Sequence, residues 1–288
     1  AAGGDSSVPI ICVATNRNVY GWDPRSGALL LDYPGSAAAS SHLRFTTTPM
    51  VLDSIIVVGD AEGRVRGLHP WWSLSGAEPP AGENQGAMVW RTPTAGFAVT
   101  ALAAGPLLPG GGEVLAWGNE TGEVRLASGS QWAGFTALAG WPRRMGVVGD
   151  GGIAWLRLVA GAGGDAGFVL ACSGGGALCL WDPDGATRAG WPVDMGASPA
   201  GPPAIGDPDG DGCLEIVCTD MAGNIHVYDL QGRPEAHWPR SVWHPDARWR
   251  KAVRSGPVLI DLHPAPAVDG IPEIVQADGQ GALHALDA

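Results

Sequence analysis

Residues 206–239 read GDPDGDGCLEIVCTDMAGNIHVYDLQGRPEAHWP, and this stretch decides the fold. An acidic loop runs into the apolar segment EIVCT. A polar turn, DMAG, follows, and a second apolar segment, NIHVYD, leads to another turn and to Trp238-Pro239. The phrase recurs as IICVATNRNVYGWDPRSG (10–27), IIVVGDAEGRVRGLHP (55–70), EVLAWGNETGEVRLASG (113–129), FVLACSGGGALCLWDPDG (168–185) and EIVQADGQGALHALD (273–287). In five of the six copies a glycine closes the first turn (Gly63, Gly122, Gly176, Gly223, Gly281), and Asn18 holds that place in the first. Gly and Asn reach positive φ at low cost, as a four-residue hairpin turn with a bulge requires. Three places earlier stand Asp60, Asn119, Ser173, Asp220 and Asp278, short polar side chains that can bond the turn backbone. Each copy is therefore a β-hairpin.

The turn positions lie 45, 59, 54, 47 and 58 residues apart, too far for bare hairpins and suited to four-stranded propeller blades. TTPMVLD (47–53), AVTALAA (98–104), IAWLRLV (153–159), GPPAIGD (201–207) and SGPVLID (255–261) supply a strand before the hairpin. A further strand after it, ending in Tyr33-Pro34, Trp141-Pro142, Trp191-Pro192 or Trp238-Pro239, forms the outer edge, where proline's missing N–H needs no partner. No segment keeps apolar residues at spacings of three and four, so very little helix is expected. The expectation is an all-β chain: an N-terminal tail over 1–8, then one β-propeller domain over 9–288 with six blades of mostly four antiparallel strands. The first copy lacks a preceding strand and the last ends at Ala288 before an outer one, so the terminal blades are expected to be incomplete. A partner chain or a longer parent protein would then cover their edges.

The loop DPDGDGCLE (207–215) packs four carboxylates into nine residues, with Gly210 and Gly212 letting the backbone curl. Calcium takes six to eight oxygens at about 2.3–2.6 Å, and Asp207, Asp209, Asp211, Glu215 and the carbonyl of Cys213 can supply most of them. An EF-hand begins similarly but needs a bidentate Glu at the twelfth position, where this chain has Cys218 between strand-like flanks. At the sixth repeat, DLHPAPAVDGIPE keeps Asp261, Asp269 and Glu273 but inserts four residues between the two aspartates. Other junctions offer only Asp53, Glu113 or Asp165, so one good metal site is expected.

With these residues in view, the chain resembles the FG-GAP/VCBS-repeat β-propellers known from integrin α-chains, fungal lectins and secreted bacterial and algal proteins. The resemblance runs through the repeat phrase over most of the chain and is most specific at 206–239. It implies a Ca2+ ligand role for Asp207, Asp209, Asp211 and Glu215. It also implies an extracellular or cell-surface setting.

The net charge of −12 argues against nucleic-acid binding, which needs a basic face. No apolar run is long enough to span a membrane, and no signal peptide is visible. Gly 45 and Pro 24 fit many tight turns between regular apolar strands. Cys12, Cys172, Cys179, Cys213 and Cys218 make an odd set with no CxxC pair; Cys12 and Cys218 share a register with Ala171, which marks a small buried position. His226 and His284 occupy equivalent strand positions and read as repeat residues, not zinc ligands.

Most of the thirteen tryptophans also fall at repeat positions, but Trp71, Trp72, Trp243 and Trp249 lie in insertions. The insertion RSVWHPDARWRKAVR (240–254) gathers Arg240, Arg248, Arg250, Lys251 and Arg254 around Trp243, His244 and Trp249. Such a patch can hold the carboxylates or sulfates of a glycan, or an acidic protein partner. No nucleophile motif or HExxH stands in a fitting context, so no catalytic residue is assigned. The favoured function is a noncatalytic extracellular recognition or adhesion module, with a lectin and a propeller-type polysaccharide lyase acting on uronates as alternatives. The sequon Asn119-Glu120-Thr121 sits on a hairpin turn and is expected to carry a glycan in a secreted eukaryotic protein.

Overall fold

The computed structural model describes residues 10–33, 43–52, 55–69, 88–107, 112–130, 134–145, 151–161, 167–243, 252–263 and 269–288. Every regular element among them is a β-strand, and they form six antiparallel sheets in chain order, one for each hairpin repeat. The chain gathers into two compact units, residues 1–143 with 157–168, and residues 144–156 with 169–288.

In the first unit, β1 (Ile11–Ala14), β2 (Val19–Trp22) and β3 (Leu29–Tyr33) make a three-stranded sheet. A four-stranded sheet follows from β4 (Met50–Leu52), β5 (Ile55–Gly59), β6 (Val65–Leu68) and β7 (Met88–Arg91). The third runs through β8 (Val99–Pro106), β9 (Glu113–Asn119), β10 (Glu123–Ser130) and β11 (Gly134–Ala137), with β12 (Arg143–Arg144) also on β10. The fourth, which contains the boundary between the units, comprises β13 (Ile153–Val159), β14 (Phe168–Ser173), β15 (Ala177–Trp181) and β16 (Val193–Asp194). In the second unit come β17 (Ala204–Gly206), β18 (Glu215–Thr219), β19 (Asn224–Tyr228) and β20 (Arg240–Ser241), and finally the three-stranded set β21 (Val258–Ile260), β22 (Glu273–Ala277) and β23 (Leu283–Leu286). The first and last sheets thus have three strands among the described residues, as the repeat register predicts.

The hairpin strands of the inner copies are buried on both faces, which is why IIVVG, FVLACS and EIVCT read as continuous apolar runs. Within each unit, neighbouring sheets pack face to face. Val19, Leu31 and Tyr33 meet Phe45, Ile56, Val58 and Leu68 in one cluster; Ile55, Val57 and Val65 meet Val99, Leu115 and Trp117 in the next. In the second unit Val217, Ile225, Val227, Trp238 and Trp243 close on Val253 and Ile274.

The turns are built as the repeat phrase requires. Asp60 Oδ1 accepts the N–H groups of Glu62 and Arg64 at 3.0 and 2.9 Å, Asn119 Oδ1 those of Thr121 and Glu123 at 3.0 and 3.0 Å, and Asp278 Oδ1 those of Gln280 and Ala282 at 2.8 and 2.9 Å. Ser173 and Asp220 each accept from the residue four places on. The aspartates also use their second oxygen on a base six residues later. Asp60 Oδ2 takes Arg66 Nε and Nη2 at 2.9 and 2.8 Å, and His226 and His284 bring Nε2 to 3.2 and 3.1 Å from Asp220 and Asp278. The two histidines are therefore repeat residues, tied to their own turns.

Two local expectations are corrected. All five turn glycines have positive φ, between 79° and 105°, but Asn18 does not: the only described non-glycine with positive φ is His237. The first turn instead closes through Thr15, whose Oγ1 accepts the Asn18 N–H at 2.9 Å, while Asn18 Nδ2 donates to Asp32. The Trp-Pro pairs do not end the outer strand either. Pro142, Pro192 and Pro239 immediately precede the two-residue edge strands β12, β16 and β20, so proline limits where the edge begins to pair. Their tryptophans point inward, and Trp191 Nε1 donates to the carbonyl of Leu230 at 2.9 Å.

Asp60 and Arg66 are 0% and 3% exposed. Asp60→Ala is expected to cost about 3–5 kcal/mol in urea denaturation, because it leaves a buried guanidinium unpaired. Ser173→Ala, which removes one neutral bond, is expected to cost about 1 kcal/mol.

Candidate metal centre

The loop between β17 and β18 is wound around Asp207. Its Oδ1 accepts the N–H groups of Gly210 and Asp211 at 2.7 and 3.1 Å, and its Oδ2 that of Gly212 at 2.9 Å. Gly210 and Gly212 take φ of 75° and 87°, which a Cβ would strain, so the curl depends on both glycines. The curl brings carboxylate oxygens of Asp207, Asp209 and Glu215 within 4.8 Å of one another. Asp211 lies outside that group; its Oδ1 accepts the N–H of exposed Cys213 at 2.7 Å.

Glu215 is the unusual member. It opens β18, is only 2% exposed, and its Oε2 is buried with no hydrogen-bond partner. Burial pushes its pKa up to about 8, and the nearby Asp209, Asp211, Asp207 and Glu235 add to the effect. An orphaned carboxylate oxygen facing other carboxylates is the arrangement a hard divalent cation satisfies, since it supplies the charge and the coordination that protein donors do not. The residues present therefore fit a calcium-class ion. A cavity of about 160 Å³ lies alongside, lined by Asp209, Glu215, Glu235, His237 and Trp238 among others. Glu235 was not singled out in the sequence because it belongs to a different turn, twenty residues along the chain.

Of the basic insertion, Arg240, Trp243 and Arg254 fall among the described residues. Trp243 is 7% exposed, lies over Gly223 where a Cβ would meet its ring at 2.3 Å, and donates Nε1–H to the carbonyl of Ala222. It is a core residue of the fifth blade, not a surface ligand, because glycine in the turn leaves the indole its seat. Arg240 donates to the carbonyl of Asp287 at 2.8 Å and lies 4.5 Å over the Trp238 ring. Arg254 is exposed, while His244, Arg248, Trp249, Arg250 and Lys251 lie outside the described residues, as do Trp71 and Trp72. Asn119 is 3% exposed, and its Oδ1 accepts from Thr121 N, Thr121 Oγ1 and Glu123 N. The sequon asparagine is thus a buried turn cap, a use the sequon pattern does not reveal.

Five cysteines are free, with Cys172, Cys179 and Cys218 buried. Burial raises the thiol pKa of Cys172 and Cys179 to about 12, so neither is a nucleophile near neutral pH.

Neither a protein-family profile nor a curated protein sequence matches the chain. Solved structures do resemble it in fold. The computationally designed Ika8 protein matches at a TM-score of 0.59 and 15% identity, covering 96% of this chain and 68% of that one. BamB from Moraxella catarrhalis matches at 0.57 and 14%, covering 96% and 66%. BBS1N, solved in complex with ARL6DN, matches at 0.54 and 13%, covering 97% and 75%. The chain thus spans about two thirds to three quarters of the length of these neighbours. BamB and BBS1N are β-propellers, and with six sheets in chain order the fold is a β-propeller of six blades.

Two expectations follow. In chelator, the protonated Glu215 stabilises the folded chain: its folded pKa of about 8 lies above the ordinary 4.5, so that stability is complete below about 4.5 and is lost as pH rises through about 8. Thermal melts across this range should fall with rising pH, and Glu215→Gln should flatten the dependence. Mass spectrometry of protein secreted from a glycosylating host should find Asn119 unmodified.

Proposed function

We propose that the chain is a noncatalytic recognition or assembly module, a calcium-binding β-propeller scaffold of FG-GAP/VCBS type that works at the cell surface or outside the cell. The single observation that carries the reading is Glu215 Oε2, buried and unpartnered at the base of a loop where Asp207 and Asp209 converge with it. A cation there joins the loop to the buried hairpin of the fifth blade and holds the blade's outer surface in one shape. Loops on such a rigid sheet scaffold are where partners bind. BBS1N, a neighbour in fold, was solved with a protein partner, which supports a protein ligand over a small molecule.

Calcium is expected to raise the melting temperature of chelator-stripped protein, by roughly 2.7 kcal/mol of stability at a free concentration 100 times Kd. Asp209→Ala removes an exposed side chain from the cluster, so it should fold normally and lose the calcium response. A melting curve indifferent to both chelator and calcium would overturn the metal reading. An unsaturated, ultraviolet-absorbing product from pectin or alginate would replace the recognition reading with a lyase, and binding of free sugars on a glycan array would replace it with a lectin.

A further inference from the structure

The carboxylate framework of the 207–215 loop recurs one blade later with one donor exchanged. Ile260 pairs with Glu273 in the sixth sheet as Gly206 pairs with Glu215 in the fifth, so Asp261 and Glu273 stand where Asp207 and Glu215 stand. The four extra residues are absorbed before Asp269. From there two backbone bonds match: Gly270 N–H donates to Asp261 Oδ2 at 2.9 Å, as Gly212 does to Asp207 Oδ2 at 2.9 Å. Ile271 N–H donates to Asp269 Oδ1 at 3.0 Å, as Cys213 does to Asp211 Oδ1 at 2.7 Å. Gly270 and Gly212 share positive φ, 81° and 87°. The position two residues after the leading aspartate is Asp209 in one loop and His263 in the other.

His263 Nδ1 is held among three carboxylates, 3.1 Å from Glu273 Oε1, 3.6 Å from Asp261 Oδ1 and 3.7 Å from Asp269 Oδ1. The two longer separations exceed hydrogen-bond length. All three bracket the separation of about 3.4 Å between neighbouring ligands of a tetrahedral ion bound at about 2.0–2.1 Å. Ligand atoms of Asp261, His263 and Glu273 all lie within 4.8 Å of one another. The carboxylates are aimed by backbone amides: Glu273 Oε2 accepts the Leu262 N–H at 2.8 Å, which leaves Oε1 toward the imidazole. His263 is half-exposed and, with Asp269 and Glu273, lines a cavity of about 290 Å³, so an ion can enter.

We infer that Asp261, His263 and Glu273 form a second metal site, with Asp269 beside the imidazole but outside the group, and that it takes a borderline transition ion of the zinc and cobalt class in preference to calcium. Calcium binds through oxygen, whereas an imidazole nitrogen among carboxylates suits Zn2+ and its neighbours. The inference does not depend on calcium in the 207–215 loop, because the substitutions that test it, at His263 and Glu273, leave Asp207, Asp209 and Glu215 in place.

The test is titration of chelator-stripped full chain with Co2+, followed by visible d–d absorption and calorimetry. One stoichiometric site is expected, emptied by equimolar Zn2+ and retained in excess Ca2+. His263→Asn, at an exposed position, and Glu273→Gln should each weaken Co2+ by about tenfold or more. His263→Asp, which restores the Asp209 pattern, should shift the preference toward Ca2+. Wild-type protein with no Co2+ band, Co2+ affinity unchanged in both His263→Asn and Glu273→Gln, or displacement of Co2+ by Ca2+ would overturn the proposal.

Discussion

The structure depends on how a hairpin can be buried on both faces. The N–H groups inside each four-residue turn have no ladder partner, so the turn carries its own acceptor, at the exposed Gln280 and Ala282 as in the enclosed copies. One side chain, three residues before the turn glycine, does this at Asp60, Asn119, Ser173, Asp220 and Asp278. Where the cap is aspartate, its charge requires a counterpart. Arg66, His226 and His284, each six residues on, stand beside the second oxygen. The repeat is therefore a fixed pairing of turn and strand, and its recurrence lets sheet pack on sheet through Leu, Ile and Val together with aromatics such as Tyr33, Trp117 and Trp238.

The acidic loops apply the opposite logic. At 207–215 backbone N–H groups serve Asp207, Asp209 and Asp211, while Glu215 keeps a buried oxygen without a partner. A group in that state is costly unless protonated or met by a cation. At 261–273 the same framework brings in an imidazole, which changes the donor set from oxygen alone to oxygen with nitrogen. One exchange of aspartate for histidine thus alters what the loop can hold, while the amide bonds that shape it persist.

Aromatic residues show how far position in the sequence can mislead. Trp243 stands among arginines in an apparent insertion, yet it is buried over Gly223. The glycine that makes the turn possible also leaves room for the indole, so one residue serves two needs that a linear reading separates. Asn119 is the converse case, a sequon whose side-chain oxygen caps the turn and whose residue is buried by it.

By itself the sequence determined the hairpins, their number, the strand before each of the last five, the three strands of the first and last sheets among the described residues, and the carboxylates of the 207–215 loop. These follow from local rules, turn chemistry and apolar runs, which act over a few residues and repeat with the chain. Only the tertiary structure decided that Trp243 is core, that Asn119 is inaccessible, that Glu215 has a stranded oxygen, and that Asp261 and Asp269 meet His263 despite their inserted spacing. Each of these depends on which groups are enclosed together once strands pair. Burial and convergence are properties of the packed sheets, and spacing along the chain does not encode them.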